Sequence, residues 1–415
     1  MAVSLFVAGH ELSLLQLTSG MRFAYLLMLG SALAYPQNTV SPDLLVDVFG
    51  TPPGATTKAP GLEAITVRPT DATSTFVDSN GEECKCVPYY LCDNDGNAVD
   101  AYNETVTGAF ILDIRFGECQ ESVEKCCKYP KPPEQPPAPD AKNLKGCGYR
   151  NRKGIDFTIT GGEGDEAQFG EFPWVVALLD NANSSYAGVG VLIHPQVVMT
   201  GAHIAHKYAP GGLKVRAGEW DTQTNKERLQ AQERIVQDQF IHSDFDRKSL
   251  RNDLALLRLK EPFDLADHIN VICLPGQGEK FDGSKNCVAN GWGKNKFGLK
   301  GRYAVILKRV EVDMVEHGRC HELLKATRLG RHFRLHSSFV CAGGEEGKDT
   351  CQGDGGAPLA CPIGGDRYKL SGLVAWGVGC GEKDVPAVYA NVALFRGLVD
   401  AKMAEWGFDT NGYRL

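Results

Sequence analysis

Short apolar runs separated by glycine- and proline-bearing turns fill the chain from about residue 147 to its end. Glu171-Phe172-Pro173-Trp174-Val175-Val176 predicts an early strand. Val191-Leu192-Ile193-His194 and Val197-Val198-Met199-Thr200 predict a hairpin that leads into Gly201-Ala202-His203. Asn252-Asp253-Leu254-Ala255-Leu256-Leu257 predicts a further, alternating buried strand. Many short strands with such turns predict an all-β region. At the end the spacing changes: Leu394, Phe395, Leu398, Val399, Met403 and Trp406 recur at helical intervals and predict an amphipathic helix packed on the strands.

The N-terminal part follows other rules. Arg22, a short apolar run and the small-x-small end Ala32-Leu33-Ala34 predict a secretory signal cleaved after Ala34. The run is too short to span a bilayer. Met21 is its natural start, which makes residues 1–20 an over-extended reading of the gene. Residues 35–80 carry Thr51-Pro52-Pro53-Gly54 and Arg68-Pro69-Thr70 with few large apolar residues, and predict a disordered extension. Its one amphipathic patch, Leu44-Leu45-Val46-Asp47-Val48-Phe49, reads as a docking segment or as nothing. A cysteine-dense domain is expected over 81–128 and a proline-rich, semi-rigid spacer over 129–146.

Charge and cysteine content narrow the class. The chain has 415 residues and a formal net charge of −7 without a basic block, which argues against nucleic acid as a partner. Its 14 cysteines are even in number and fall in two groups, as in an oxidised extracellular protein. A reduced metalloprotein is disfavoured because His and Cys do not cluster in zinc-like pairs. The first group, Cys84, Cys86, Cys92, Cys119, Cys126 and Cys127, sits in a segment too short to bury a core without disulfides. Spacing alone leaves fifteen pairings open.

Two resemblances organise these observations. The order Cys-x-Cys, a third Cys close by, a long gap, then Cys and an adjacent Cys pair resembles the arthropod clip domain. That resemblance implies Cys84–Cys126, Cys86–Cys119 and Cys92–Cys127. From residue 147 on, the chain resembles the chymotrypsin-like serine protease domain: Asn290-Gly291-Trp292-Gly293 and Val374-Ala375-Trp376-Gly377 match in order, as does Cys351-Gln352-Gly353-Asp354-Gly355-Gly356-Ala357-Pro358. The last resembles the family's Gly-Asp-Ser-Gly-Gly-Pro loop, with Gly355 in place of the serine. The implied fold is a pair of six-stranded β-barrels with a C-terminal helix. The implied bridges are Cys147–Cys273, Cys287–Cys361, Cys320–Cys341 and Cys351–Cys380. One usual bridge is missing at both ends, where Gly188 and Ile204 stand.

Acyl transfer by a triad needs a hydroxyl to attack, an imidazole to take its proton and a buried carboxylate to orient the imidazole. By resemblance His203 and Asp253 supply the second and third parts, and Gly355 removes the first. In enzymes with this triad, losing the serine costs on the order of a millionfold in turnover. What survives, by way of the backbone N–H groups of Gly353 and Gly355, is negligible against a peptide bond. Ala375 and Ala357 replace a supporting serine and a loop glycine. Zymogens of the family are cut before an Ile whose freed amino group pairs with the loop aspartate. Here Thr158 precedes Ile159, so Asp354 is retained without that release and a permanently zymogen-like barrel is expected.

The same resemblance places Asp349, Gly377 and Ala387 in the specificity pocket, where a basic side chain would be bound rather than cut and Ala387 would narrow the cavity. It makes Glu219 and Glu233 flank a loop that holds calcium in relatives; two solvated surface acids are the plainer reading. Asn103-Glu104-Thr105 and Asn183-Ser184-Ser185 are glycosylation acceptors. Ile111-Leu112-Asp113-Ile114-Arg115-Phe116 reads as a buried strand, with Arg115 also a trypsin-type processing site. The whole arrangement resembles the clip-domain serine protease homologs that act as prophenoloxidase-activating cofactors. This implies a secreted haemolymph protein without a transmembrane segment. Its partners would be an active clip-domain protease, prophenoloxidase or other cascade proteins, and further copies of itself after cleavage. An enzyme using another nucleophile such as Ser371, a microbial- or cell-surface adhesion protein and a negative regulator are the competing readings.

Overall fold

Apolar positions along the strands from residue 175 point into two cores, and this division builds a double barrel. A computed structural model describes residues 75–77, 83–92, 110–113, 119, 123–128, 145–295 and 301–415. The expected signal, the Leu44–Phe49 patch, Asn103, Arg115 and most of the spacer lie outside the described residues.

The cysteine-rich part contributes β1 (Thr75–Val77), β2 (Glu83–Pro88), β3 (Phe110–Asp113) and β4 (Glu124–Cys127), and the segment after the spacer gives β5 (Phe157–Thr160). The first barrel is β6 (Val175–Asp180), β7 (Tyr186–His194), β8 (Val197–Thr200), β9 (Leu213–Ala217), β10 (Gln232–Ile241) and β11 (Ala255–Leu259), closed in the order β10-β11-β8-β7-β6-β9. The early strand starts at Val175 because Phe172–Trp174 form a turn, with Val175 N donating to Phe172 O at 3.1 Å. The expected alternation around Leu254–Leu257 is replaced by continuous burial. Ala255 and Leu257 point into the barrel interior, and Leu254 and Leu256 into the larger core on its outside, so both faces are covered.

The second sheet runs β13-β12-β16-β17-β18-β15-β14. Its strands are β12 (Cys287–Gly291), β13 (Lys308–Val312), β14 (Met314–Val315), β15 (Phe339–Ala342), β16 (Pro358–Gly364), β17 (Arg367–Trp376) and β18 (Ala387–Asn391). β13 and β14 are separated only by Asp313. They act as two halves of one bent strand, pairing β12 at one end and β15 at the other, which closes a second six-stranded barrel. Three helices complete the body: α1 (Ala202–Ala205), α2 (His317–Lys325) and α3 (Arg396–Glu405). The predicted C-terminal helix begins as a 3-10 turn at Val392–Phe395. Val399 and Met403 are buried under α3, whereas Leu394 faces solvent.

β1, β2 and β4 form one small antiparallel sheet, but β3 does not join it. β3 pairs in parallel with β5, with Leu112 opposite Ile159, so the cysteine-rich part is tied to the stretch that leads into the barrels. An aromatic ladder reinforces the contact: Tyr89 meets Phe157 edge-on at 4.7 Å, and Phe157 stacks on Phe169 at 5.4 Å and meets Trp220 at 5.3 Å. The Tyr89 hydroxyl donates to Asp156, whose carboxylate also pairs with Arg228 at 2.7 Å, and Lys226 pairs with Glu124 at 2.7 Å. Tyr89, Leu112 and Val123 thus share one apolar core with the double barrel.

Six bridges are formed: Cys84–Cys126, Cys86–Cys119, Cys147–Cys273, Cys287–Cys361, Cys320–Cys341 and Cys351–Cys380. The expected seventh, Cys92–Cys127, is not. Both residues are fully buried in one apolar cluster, but Cys92 Sγ faces Cys126 O at 3.8 Å and Cys127 Sγ faces Leu91 O at 3.9 Å. Each sulfur is turned to a backbone carbonyl rather than to the other sulfur.

Candidate functional site

His203 is carried on the single turn of α1, directly after β8, and Asp253 lies just before β11, its pairing partner. The two barrels meet here. Asp253 is fully buried and both its oxygens accept from His203: the backbone N–H donates to Oδ1 at 2.7 Å and Nδ1 donates to Oδ2 at 2.6 Å. The base and its orienting carboxylate are therefore in place.

The remaining corner has closed up. His203 Nε2 is buried with no hydrogen-bond partner, and it points at Gly355. A Cβ added to Gly355 would lie 2.6 Å from that nitrogen, so the imidazole has taken room a serine side chain would need. The alternative nucleophile is elsewhere: Ser371 is 1% exposed on β17 and its hydroxyl donates to Leu359 O at 2.9 Å. Tyr186 donates to Gly353 O at 2.8 Å, and the Tyr303 ring fills the space that a Cβ on Gly353 would take, both steadying the loop. Ala375 is buried and brings no hydroxyl to Asp253. Where the family's missing disulfide would sit, Ile204 Cδ1 fills the space over Gly188; a Cβ on Gly188 would collide with it. The two losses are thus complementary in shape.

The segment around Ile159 is held as continuous chain. Ile159 N donates to the Gln168 side-chain oxygen at 2.7 Å, and the Gln168 amide donates back to Ile159 O at 3.1 Å. The Thr158 hydroxyl donates to Lys153 O at 3.0 Å, and β3 covers the strand. Asp354 meanwhile points at Gly291–Gly293, where any side chain would strike its carboxylate. Oδ1 accepts from Gly293 N at 2.8 Å and Oδ2 from Cys351 N at 2.9 Å. Burial pushes this carboxyl up to about 6, against the pull of those two N–H groups. Asp349 accepts from Thr350 N at 2.8 Å and Gly381 N at 2.9 Å. Burial pushes it up to about 7; the two N–H groups oppose the shift, and nearby Asp354 and Glu382 add to it. Asp349 and Asp354 line one cavity of about 1310 Å³, whose walls include neither Gly377 nor Ala387. Both of those are buried, and Ala387 pairs with Ala342 in the second barrel.

Glu219 and Glu233 share one cation partner. The Arg216 guanidinium bridges them, at 2.8 Å to Glu219 and 2.6 Å to Glu233, and Lys214 takes the other Glu233 oxygen at 3.0 Å. Burial raises Glu233, but the bonds from Lys214 and Arg216 outweigh it and the net shift is down; for Glu219 burial wins over Arg216 and the shift is up. The acid that sequence reasoning missed is Glu227. Its Oε1 is buried without a partner, and burial, with Glu219 and Asp221 nearby, holds it well above the usual carboxylate range. Only folding the loop inward could reveal it, since its sequence neighbours are polar. Asn183 is exposed at the β6–β7 turn, its side-chain oxygen accepting from Ser185 N at 2.8 Å.

A double barrel in which a buried Asp253 holds His203 and the imidazole faces Gly355 defines the class: a trypsin-like scaffold. Comparison with known proteins agrees on the scaffold. The trypsin family model matches residues 162–399, and the model for the serine protease clip domain PPAF-2 matches 73–128. Phenoloxidase-activating factor 2 of Galleria mellonella is 49% identical over 300 residues, covering 68% of this chain and 98% of the relative. Inactive CLIP domain-containing serine protease A8 of Anopheles gambiae is 39% identical over 330 residues, covering 76% and 88%. Inactive CLIP domain-containing serine protease A3 of Aedes aegypti is 38% identical over 331 residues, covering 77% and 67%. The chain belongs to the clip-domain serine protease homologs of the trypsin family.

Proposed function

We propose that this chain is a catalytically silent, secreted cofactor of a proteolytic immune cascade, which supports prophenoloxidase activation and melanisation after it is cut at Arg115 by an active clip-domain protease. The observation that carries the reading is Gly355 beneath His203: the proton acceptor is built and oriented, but nothing is there to give it a proton. Relatives named as inactive proteases and as a phenoloxidase-activating factor support the same direction. Thr158 at the position before Ile159 supports it further, since a trypsin-like protease does not cut there.

On this reading cleavage is a signal, not a step towards catalysis. A cut after Arg115 falls between Cys86 and Cys119, which are joined, so the pieces stay linked while β3 is freed from the chain that follows it. Assembly of cut chains and contact with prophenoloxidase would follow.

The test adds the full chain, uncut or pre-cut, to prophenoloxidase and an active clip protease, and reads phenoloxidase activity, with Arg115→Ala as the uncuttable control. A rise with the cut wild type alone supports the cofactor role. Suppression would instead make the chain a negative regulator, and no effect of any form would shift the role to surface recognition.

A further inference from the structure

Cations and acids are matched over much of the molecule: Arg150, Arg228, Arg258 and Arg309 each hold a carboxylate. One region departs from that. Residues 316–336, which run through α2 and the turn after it, carry four arginines, one lysine and four of the chain's ten histidines against two glutamates. Both glutamates are occupied. Glu316 caps α2, accepting from Gly318 N and Arg319 N at 2.9 Å each, and Glu322 pairs with Lys325 at 3.1 Å.

The fold sets a second basic stretch beside the first. Residues 247–251 read Arg-Lys-Ser-Leu-Arg. Directly after them, Asn252 N donates to the Ser338 hydroxyl oxygen at 3.1 Å, which His336 Nδ1 also meets at 2.9 Å, and His317 Nε2 lies 3.4 Å from His336 O. Burial, then Arg251 and His317, hold the His336 imidazole below its ordinary value, so these groups share one field. His321 Nε2 ties α2 to the turn, 3.0 Å from Phe333 O, and Cys320–Cys341 ties it to β15. Arg247, Arg251, Arg319, Arg331 and Arg334 are all exposed, and among the described residues none is paired with a carboxylate. Arg331 Nε donates to His332 Nε2 at 3.1 Å and Arg334 to Phe333 O at 3.2 Å. The neighbouring acids are held locally: Asp246 takes Lys248 N at 2.8 Å and the Ser249 hydroxyl at 2.9 Å, and Asp244 takes the Ser243 hydroxyl at 3.4 Å.

Unpaired like charges held side by side repel, and an exposed guanidinium fork is matched by an oxyanion that offers two oxygens. None of the five arginines lines the large cavity. They are spread over a helix and two loops, so a small anion would meet one or two of them and a chain of anions would meet them all. The patch has no apolar centre: the exposed large apolar side chains, Ile235, Ile363, Leu394 and Leu415, lie outside both stretches. That disfavours a protein surface and a membrane. Its one phenyl ring, Phe333, is buried against Trp376, so nucleic-acid bases have no platform to stack on. Disulfides suit an oxidising extracellular space, where sulfate esters on glycans are recurring anions. We infer that the α2 face binds a sulfated glycan chain, its sulfates running from Arg319, Arg331 and Arg334 on one side to Arg247 and Arg251 on the other. This goes beyond the cofactor role and stands or falls separately from it.

The experiment is surface plasmon resonance of the full chain over an immobilised, size-selected heparin oligosaccharide at about 0.15 M salt. Saturable binding is expected, and its loss over the same oligosaccharide stripped of sulfates. Arg331→Gln with Arg334→Gln should weaken binding at least about tenfold, and Arg247→Gln with Arg251→Gln at least about threefold. The second pair decides should the first fail to fold. Lys153→Gln with Lys260→Gln removes the same charge at exposed positions outside both stretches and should leave binding within about twofold. Equal binding with and without sulfates overturns the inference, as does an equal loss in the Lys153 and Lys260 control, or no saturation up to about a tenth of a millimolar. Tighter binding to double-stranded DNA or to polyglutamate of matched charge also overturns it, in favour of another class of partner. None of these readouts involves phenoloxidase, so they leave the cofactor reading untouched.

Discussion

Asp253 and Asp354 are both acids at the heart of a trypsin-like machine, and they have lost different things. Asp253 keeps its partner: both oxygens still accept from His203. What is gone is the hydroxyl the pair would have served. Asp354 keeps its position against Gly291–Gly293, but receives only two backbone N–H groups and no cation. At the first site His203 faces a glycine; at the second, Ile159 N is an amide bonded to Gln168. The first has collapsed onto its loss, with imidazole over Gly355 and Ile204 over Gly188; the second stays open as a cavity. Small apolar gaps refill by side-chain movement, but a buried carboxylate cannot be satisfied by a hydrocarbon neighbour.

The strongest challenge to this contrast is to put the serine back. Gly355→Ser is expected to give no hydrolysis of an arginyl amide above background, on the order of a millionfold below a working triad. His203 occupies the room for the new Cβ, and Thr158 blocks release of Ile159. Measured turnover within a thousandfold of an active relative would show that one residue alone was missing.

Next in size is the strap on the activation segment. Phe157→Ala removes the centre of the Tyr89–Phe157–Phe169 ladder and should cost about 3–5 kcal/mol in chemical denaturation. Limited proteolysis should then cut within 145–160 before the barrels. Unchanged protection would mean that β3 pairing alone holds the strand.

At the triad corner, Gly188→Cys with Ile204→Cys should form a disulfide and raise stability by about 3 kcal/mol, lost on reduction. The two positions already face each other, as the clash of a Gly188 Cβ with Ile204 shows. Free thiols in the double variant would mean the backbones have moved apart.

The smallest effect concerns Asp354, and its sign is set by pH. The folded state raises this carboxyl from 3.8 to about 6, so the native protein holds the proton more tightly than the unfolded chain. Its contribution is greatest below pH 4 and is lost as pH rises through about 6. Asp354→Asn should therefore melt close to wild type at pH 4 and higher at pH 7.5, by the equivalent of about 2–3 kcal/mol. Groups with lowered values, such as Glu166 and Asp313, titrate in both proteins and cancel in the difference. A variant that melts lower at pH 7.5 would reveal an unseen cation at Asp354.

Part of this was legible in the strand pattern. The all-β character follows from its short runs and turns, whereas the double barrel, the places of His203 and Asp253 and the meaning of Gly355 were implied by the resemblance to the protease family. A strand was legible at Ile111–Phe116, and the structure has one over Phe110–Asp113, but its partner was not legible. A parallel pair has no hairpin turn to announce it, so nothing in Phe110–Asp113 points to Phe157–Thr160. Glu219 and Glu233 look like two free acids in sequence, and only the fold carries Arg216 between them and turns Glu227 inward.

Sequence by itself determined what the chain cannot do, because a missing atom needs no geometry: glycine has no hydroxyl and threonine is not a basic cut site. Tertiary structure alone decided what became of the space. It laid an imidazole where the serine would stand, left Cys92 and Cys127 turned to neighbouring carbonyls, and gathered Asp349, Asp354 and Asn290 around one cavity. Those outcomes depend on long-range packing and on which groups water can no longer reach, and neither is written in the order of residues.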